Sequence, residues 1–344
     1  MTAPLPIEII GGGLAGLSLG LALRRANIPV TLYEAGHYPR HRVCGEFITG
    51  LAPATIARLG LAPHLADALH HRSVAWFFGA DHAPSRRQQL PAPALGLSRH
   101  ALDARLAEAF VAAGGQLHTN TRITDLAPRP GRVVTTGRRR SGARWLGLKF
   151  HVHSLALADD LELHLGNQGY IGLTRVAADT VNVSGLFARR SLCARGPNLL
   201  LGYLQAAGLT ALCARLGQAR IDPATFCAVA AVDFDFTVPP PLPDVLSLGD
   251  AAAMIPPFTG NGMAMAFQSA EAALDPLLAY SIGETTWSFA GQTVARTLRR
   301  RFRCRLATAS LLHPFLLTPA LQRFLRLLNR TQLLPLRPLY AALH

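Results

Sequence analysis

The chain opens on a short apolar run, Ile7-Glu8-Ile9-Ile10, whose β-branched residues predict a buried strand. A glycine cluster, Gly11-Gly12-Gly13-Leu14-Ala15-Gly16, follows at once. Apolar residues at helical spacing then run to about Arg25, with Gly20 on the face nearest the sheet, and residues 29–33 predict a second strand ending at Glu34. Further along, the period falls to two: Lys149, His151 and His153 alternate with Phe150 and Val152, and Val232, Phe234, Phe236 and Val238 alternate with Asp233, Asp235 and Thr237. Residues 170–176 and 181–187 predict a hairpin around Ala178-Asp179. Residues 244–248 predict one more strand and 264–278 a helix. Residues 287–312 predict a long basic helix, and 315–328 a second, with Leu317, Leu321, Phe324 and Leu328 at helical spacing. There is no internal repeat.

Composition narrows the class. Of 344 residues half are apolar and 16% charged, which excludes a disordered chain and leaves room for two domains, or one large α/β domain with a second lobe. The 34 basic and 20 acidic residues give a net charge of +14, and Lys149 is the only lysine. The charge is uneven. Beyond Glu284 there is no acid, and residues 285–344 hold ten arginines; the remainder carries 24 bases against 20 acids, or +4. A basic chain suggests nucleic acid, but no helix-turn-helix, zinc or aromatic RNA-binding signature accompanies the charge, so no nucleic-acid partner is expected. Cys44, Cys193, Cys213, Cys227 and Cys304 are few and irregularly spaced, which fits free thiols in a reducing cytoplasm and suggests no metal. There is no signal-peptide pattern. No apolar run reaches a membrane span of about 18 residues, since Arg323, Arg326 and Arg330 interrupt the nearest approach. The Arg- and Leu-rich tail has two readings: helices that close the core, or a peripheral contact with an anionic membrane that admits a lipid-like substrate.

The first motif carries specific chemistry. GxGxxG stands here with a strand before it, a helix after it and an acid about 20 residues on. Gly11 permits the tight turn, Gly13 lets the backbone approach a pyrophosphate, and Gly16 lets helix and strand pack closely. The phosphates then meet the free N–H groups of Leu14, Ala15 and Gly16 at the positive end of the helix. Glu34 is placed to accept hydrogen bonds from the adenosine ribose, and its charge disfavours a 2′-phosphate.

Near residue 250 a longer compound pattern appears: Asp244-Val245-Leu246-Ser247-Leu248-Gly249-Asp250-Ala251-Ala252, Pro256-Pro257, then Gly260-Asn261-Gly262-Met263. This resembles the second FAD motif of the flavoprotein monooxygenases related to p-hydroxybenzoate hydroxylase, and of the related geranylgeranyl reductases. The resemblance implies that Asp250 bonds an FAD ribityl hydroxyl and that residues 256–263 run past the flavin ring, where the N–H groups of Gly262 and Met263 would stabilise negative charge. Pro39-Arg40-His41-Arg42-Val43-Cys44-Gly45-Glu46-Phe47 resembles the PRxKxCGEF stretch of the reductase branch, which places Arg42 toward the cofactor. Ser98-Arg99-His100-Ala101-Leu102-Asp103 resembles the helix start that supplies an FAD-contacting arginine, here Arg99, with Leu102 and Leu106 buried. Cys44 reads as structural.

The chain also departs from these families. Thr136 stands where the hydroxylases have the aspartate of a middle Asp-Gly motif, within Thr135-Thr136-Gly137-Arg138-Arg139-Arg140-Ser141. Gly169-Tyr170-Ile171-Gly172-Leu173 lacks the Trp and Phe-Pro of the archaeal-type reductases, and no WxWxIP of the tryptophan halogenases occurs.

The resemblance implies an α/β fold: a discontinuous Rossmann-like FAD-binding domain (1–75, 96–145, 240–285), an antiparallel-sheet substrate domain (76–95, 146–239) and a C-terminal basic helical segment (286–344). Pro239-Pro240-Pro241 marks the return to the FAD domain. It implies an FAD-dependent monooxygenase that hydroxylates an aromatic or polyketide-like apolar small molecule through a flavin C4a-hydroperoxide, with NADPH or NADH as electron donor. His151, His153, His164 and Tyr170 are candidates for a base that deprotonates a phenol. The alternatives are a geranylgeranyl-reductase-like enzyme that saturates C=C bonds by hydride transfer from reduced FAD, and a non-catalytic flavin-binding redox protein.

Overall fold

The computed structural model describes residues 3–137, 144–234, 237–238 and 244–344. Strand β1 (Ile7–Ile10), helix α1 (Leu14–Arg25) and strand β2 (Val30–Tyr33) form the βαβ unit that the sequence predicts. The strands run parallel, with Ile7 opposite Val30 and Ile10 opposite Tyr33. Next come β3 (Phe47–Ile48), α2 (Pro53–Leu59), β4 (Leu69–Phe78), β5 (Arg86–Gly96), α3 (Arg99–Ala112), β6 (Gln116–His118) and β7 (Arg132–Val134). Four strands follow: β8 (Trp145–His153), β9 (Leu161–Gly166), β10 (Gly169–Ala177) and β11 (Thr180–Ala188). Then come α4 (Pro197–Ala206), α5 (Thr210–Gly217), β12 (Arg220–Val232) and β13 (Leu246–Ser247). Helices α6 (Gly262–Ser281), α7 (Trp287–Leu317), α8 (Pro319–Arg330) and α9 (Leu336–Leu343) close the chain.

Two sheets result. The first is parallel, in the order β13-β7-β1-β2-β6. Helix α1 is buried from Leu14 to Leu23, and at Gly20 an added Cβ would come within 3.0 Å of the Phe110 ring on α3. Glycine there lets the two helices approach each other. The second sheet has the order β12-β8-β11-β10-β9-β4-β5-β3, antiparallel except where β4 runs beside β9.

One face of the second sheet packs Leu148, Phe150, Val152, Ile171, Leu173, Val181 and Val183 under α4 and α5, through Leu200, Leu204 and Leu212. The other face turns toward the parallel-sheet layer and is graded along the strands. At one end Leu186 lies opposite Gly147 and Tyr170; in the middle Ser184 lies opposite Lys149 and Gly172; at the far end Asn182 lies opposite His151 and Thr174.

Three elements depart from the sequence reading. Strand β4 begins at Leu69 and β3 also joins the second sheet, so that sheet reaches back into residues 1–75, which the sequence places with the first. The alternation at 232–238 is not a strand among the described residues: β12 ends at Val232, while Asp235, Phe236 and Pro239-Pro240-Pro241 lie outside the described residues. β12 is an edge strand with register shifts between Asp222 and Cys227, around Pro223, and between Val229 and Val232. Such bulges are tolerated at an edge, and they erase the alternation that would reveal the strand. Helix α7 runs on to Leu317, and α8 begins at Pro319 rather than Phe315. The break is at Thr318, extended at φ −97° and ψ 121°, because the residue before a proline is pushed out of the helical region.

Candidate functional site

The two glycine motifs meet at one place. Gly11 sits at φ +114°, and a Cβ there would collide with the Thr135 carbonyl of the β7 end. A Cβ on Gly16 would strike the Gly11 carbonyl, so β1, α1 and Thr135 close on one another. Thr135 Oγ1 completes the junction by donating to the Gly11 carbonyl at 2.6 Å. Gly13 is different: a Cβ added there meets nothing within 4 Å. It caps α1 with no side-chain hydrogen bond, and the first turn, with Leu14, Ala15 and Gly16, carries no acid. Its N–H groups therefore face open space at the positive end of a buried helix.

The second motif rests on this turn. Gly249 and Asp250 lie in a 3₁₀ turn, Gly249–Ala251, that follows β13. An added Cβ on Gly249 would stand 3.1 Å from the Cβ of Ala15. Pro257 opens the next 3₁₀ turn, Pro257–Thr259, and Gly260 ends it at φ +68°. Asn261 then caps α6, and Gly262 and Met263 begin it. A Cβ on Gly262 would again meet nothing within 4 Å, and Asn261 Oδ1 is buried without a hydrogen-bond partner. Two helix N-termini with empty approaches, joined by Gly249 over Ala15, fit the pyrophosphate and ring ends of one FAD.

The charged residues around the first motif form a chain of pairs. Glu34 is buried; Oε2 accepts from Gly12 N–H and Oε1 accepts from Gly36 N–H and Arg40 Nη2. Burial opposes its charge, but Arg42, Arg40 and the two N–H groups outweigh it and hold the carboxyl below the ordinary range. Arg42 Nε and Arg99 Nε grip the fully buried Asp103 at 2.9 and 2.7 Å. Arg42 Nη2 also lies 3.6 Å from Glu34. Asp103 was not among the residues singled out, though its spacing of four from Arg99 on α3 is a readable helical pair. Burial raises the Cys44 thiol above its ordinary range, which keeps it protonated. Of the middle motif, Thr135 has the role given above, and residues 138–141 lie outside the described residues.

The four candidate bases fall in four different places. His164 is on the covered face of the second sheet, bonded to Glu162 at 2.9 Å, a carboxylate that Arg215 of α5 also grips at 2.6 Å. His153 is at the sheet's end, 3.7 Å from Asp179. His151 belongs to the charged end of the open face. There Glu46, fully buried at φ +53°, accepts from Lys149 Nζ at 3.1 Å, His151 Nε2 at 2.7 Å and the Arg99 N–H at 2.9 Å. Burial opposes the Glu46 charge, but His151 and Lys149 hold its pKa at about 2. His41 Nδ1 stands 3.3 Å from Lys149 Nζ, and burial with that ammonium lowers the His41 pKa to about 4. The donor atoms of His41, Glu46 and His151 lie within 4.8 Å of one another, a spacing that suits a metal ion. The Lys149 ammonium already supplies the positive charge among them.

Tyr170 is at the other end, in an aromatic box that sequence reasoning missed because its centre comes from α7. His313 lies 5.9 Å from Tyr170, 5.5 Å from Trp145, 5.2 Å from Phe234 and 6.1 Å from Phe258, between ring centroids. Phe258 belongs to the turn between Pro257 and Gly260, so the box abuts the second motif. His313 Nε2 is buried with no hydrogen-bond partner, and the Tyr170 hydroxyl lies beside the Phe258 backbone without a well-formed bond. Burial, and Arg144 secondarily, bring the His313 pKa down to about 4, so the ring is neutral at pH 7. Burial drives the Tyr170 phenol far up, which leaves it a donor and not a base. A histidine within the apolar run Leu311-Leu312-His313-Pro314-Phe315 is the signal that could have found the box.

Comparison with known proteins agrees with this architecture. The model of the NAD(P)-binding Rossmann-like domain matches residues 9–78. A menaquinone reductase of Mycolicibacterium smegmatis is 29% identical over 122 residues, 35% of this chain and 30% of the relative. One of Mycobacterium tuberculosis is 32% identical over 68 residues, 20% and 17% of the two chains. The matches thus span less than a third of these relatives. Among solved structures, HpxO of Klebsiella pneumoniae, complexed with FAD and uric acid, superposes with a TM-score of 0.76 at 15% identity, covering 98% of this chain and 96% of that one. The flavin-dependent brominase Bmp2 gives 0.74 at 18% identity over 98% and 94%. PqsL of Pseudomonas aeruginosa with 2-aminobenzoylacetate gives 0.72 at 15% over 93% and 98%. Among the described residues no helix is long and apolar enough to cross a membrane. The chain has the fold of the FAD-dependent monooxygenases of the p-hydroxybenzoate hydroxylase type, with a Rossmann-like domain, a curled second sheet and C-terminal helices.

Proposed function

We propose that this protein is an FAD-dependent monooxygenase that hydroxylates a planar, apolar, aromatic or polyketide-like molecule bearing one hydroxyl or carbonyl group. The observation that carries the reading is the aromatic box beside the second glycine motif, with two buried polar atoms unengaged. Bound FAD would supply the redox chemistry, carrying electrons from NADPH or NADH to O2. The chain's own residues do the rest. The first turns of α1 and α6 hold anionic parts of the cofactor, with Arg42 and Arg99 close by and fixed by Asp103. Trp145, Phe234, Phe258 and the His313 ring confine a flat substrate. Neutral His313 Nε2 accepts a hydrogen bond from a phenol, or the Tyr170 hydroxyl donates to a carbonyl. The box also keeps water from the reacting carbon.

The similarity to proteins named menaquinone reductases, the Cys44-Gly45-Glu46 segment and Thr136 favour a second reading, reduction of a C=C bond. One experiment separates them. The purified protein should release FAD on denaturation and consume O2 with NADPH or NADH when a phenolic or quinone substrate is present. Product formation under strict anaerobiosis overturns the monooxygenase reading in favour of the reductase. Bound FAD that no donor reduces overturns both.

A further inference from the structure

We propose that the outward face of α7 and α8 docks this protein on an anionic lipid surface. The inference stands apart from the chemistry proposed above. Phe289, Arg296, Arg300, Arg303, Leu311 and Phe315 recur at spacings of three, four, seven and eight, so they line one side of a helix about 46 Å long. Along that side Phe289 is 60% exposed and Leu311 72% exposed. Helix α8 extends the same face: the Phe315 and Phe324 rings are 6.5 Å apart, and Phe324 and Leu327 are 51% and 57% exposed. Bulky apolar side chains left in water at the two ends of that side, with arginines between them, mark an interaction surface.

Charge selects the occupant. The ten arginines of residues 285–344 have no acid among them. Three are already committed: Arg301 to Glu271, Arg326 to Asp81, and buried Arg305 to Gln268. Arg296, Arg300, Arg303, Arg323 and Arg330 stand exposed and make no ion pair with a carboxylate among the described residues. A phosphate-lined surface satisfies these guanidiniums, and the acyl region beneath it takes Leu311, Phe324 and Leu327. Nucleic acid would match the charge alone and would leave the leucines in water. His313 lies two residues from Leu311, about 200° round α7. The aromatic box is therefore on the opposite side of α7 from the docking face.

The test is co-sedimentation of the full chain with vesicles of phosphatidylcholine alone, and of phosphatidylcholine with phosphatidylglycerol, at low and high salt. The wild type should pellet with the anionic vesicles only, and less at high salt. Arg296→Glu/Arg300→Glu/Arg303→Glu should weaken binding by at least a hundredfold, because each arginine near such a surface contributes about fivefold and each glutamate adds repulsion. Leu311→Asp/Phe324→Asp should release the protein even at low salt. Circular dichroism and the thermal midpoint show whether each variant is folded, and the salt series on the wild type needs no variant at all. A wild type that stays in the supernatant overturns the proposal. So does anionic binding that survives charge reversal, or binding to single-stranded RNA without binding to vesicles.

Discussion

The two ends of the open sheet face pair their ionisable groups differently. At the charged end Glu46, Lys149 and His151 satisfy one another across the junction of the two layers. At the aromatic end Tyr170 Oη and His313 Nε2 have no full partner. An unpaired buried polar atom costs roughly 1–3 kcal/mol, and a ligand that supplies the partner removes that cost. The paired network bridges the two layers; the unpaired atoms are free to meet a ligand, as the proposed function requires. Strand alternation gives Lys149, His151 and Tyr170 one and the same pattern, polar or aromatic on the open side, and does not tell the two ends apart.

Removing Glu46 tests the charged end and should have the largest effect. Glu46→Ala leaves Lys149 and His151 buried without their counter-charge, and breaking a buried pair in this way costs about 3–5 kcal/mol. Urea denaturation should show that loss, and an unchanged midpoint would remove the distinction between the ends. The same division runs through the first glycine motif. Gly11→Ala sets a Cβ on the Thr135 carbonyl at a left-handed φ, so it should lower stability by about 2 kcal/mol. Gly13→Val places its side chain in open space. It should melt with the wild-type apoprotein yet purify with little or no FAD, read from visible absorbance. Equal FAD content in Gly13→Val and wild type would show that the cradle is not where the cofactor sits.

Tyr170→Phe and His313→Leu test the other end. Each removes an unengaged polar atom, so stability should stay within about 1 kcal/mol of wild type and FAD content should not change. Substrate-dependent turnover should fall by about tenfold when His313 is replaced, the scale of one lost hydrogen bond to the substrate. A large drop in thermal midpoint with turnover intact would reverse the roles of the two ends.

How much of this was legible in the sequence follows from the range of each interaction. Gly11, Gly13, Gly16 and Glu34 act within one βαβ unit, where local spacing dictates geometry, and the structure brings them together as the motif requires. The second motif is local in the same sense, and its contact with Ala15 follows from the fold as a whole. Glu46 was read as part of a resemblance; its real partners, Lys149 and His151, lie more than 100 residues away and enter through strand register. The surroundings of His313 were invisible for a similar reason. Nothing in α7 alone says that its inward turn faces Tyr170, Trp145 and Phe258, three residues from three separate elements. Strand β12 stayed hidden because its bulges break the period that pattern reading depends on.

The smallest effect, and the most specific to the aromatic end, is in the pH dependence of stability. The His313 pKa falls from its ordinary 6.5 to about 4 in the folded protein because burial disfavours the charged ring. Between those values the unfolded chain holds a proton that the folded protein does not. The contribution of His313 is therefore present in full above pH 6.5 and is lost as pH falls through 4. His41 and His344 are displaced to about 4 as well and lose their contributions over the same window. Glu46 differs: held at about 2, it contributes above its ordinary value of 4.5 and loses that contribution between 4.5 and 2. Urea denaturation at pH 7 and pH 4.5 therefore reads the histidines with little from Glu46. His64, His71 and His164 are lowered too, so His313→Leu should remove a part of the wild-type loss across that interval, on the order of 2 kcal/mol. A variant that loses as much stability as the wild type would mean that His313 is charged or solvated in the folded state, and the box could then hold no neutral acceptor for a phenol.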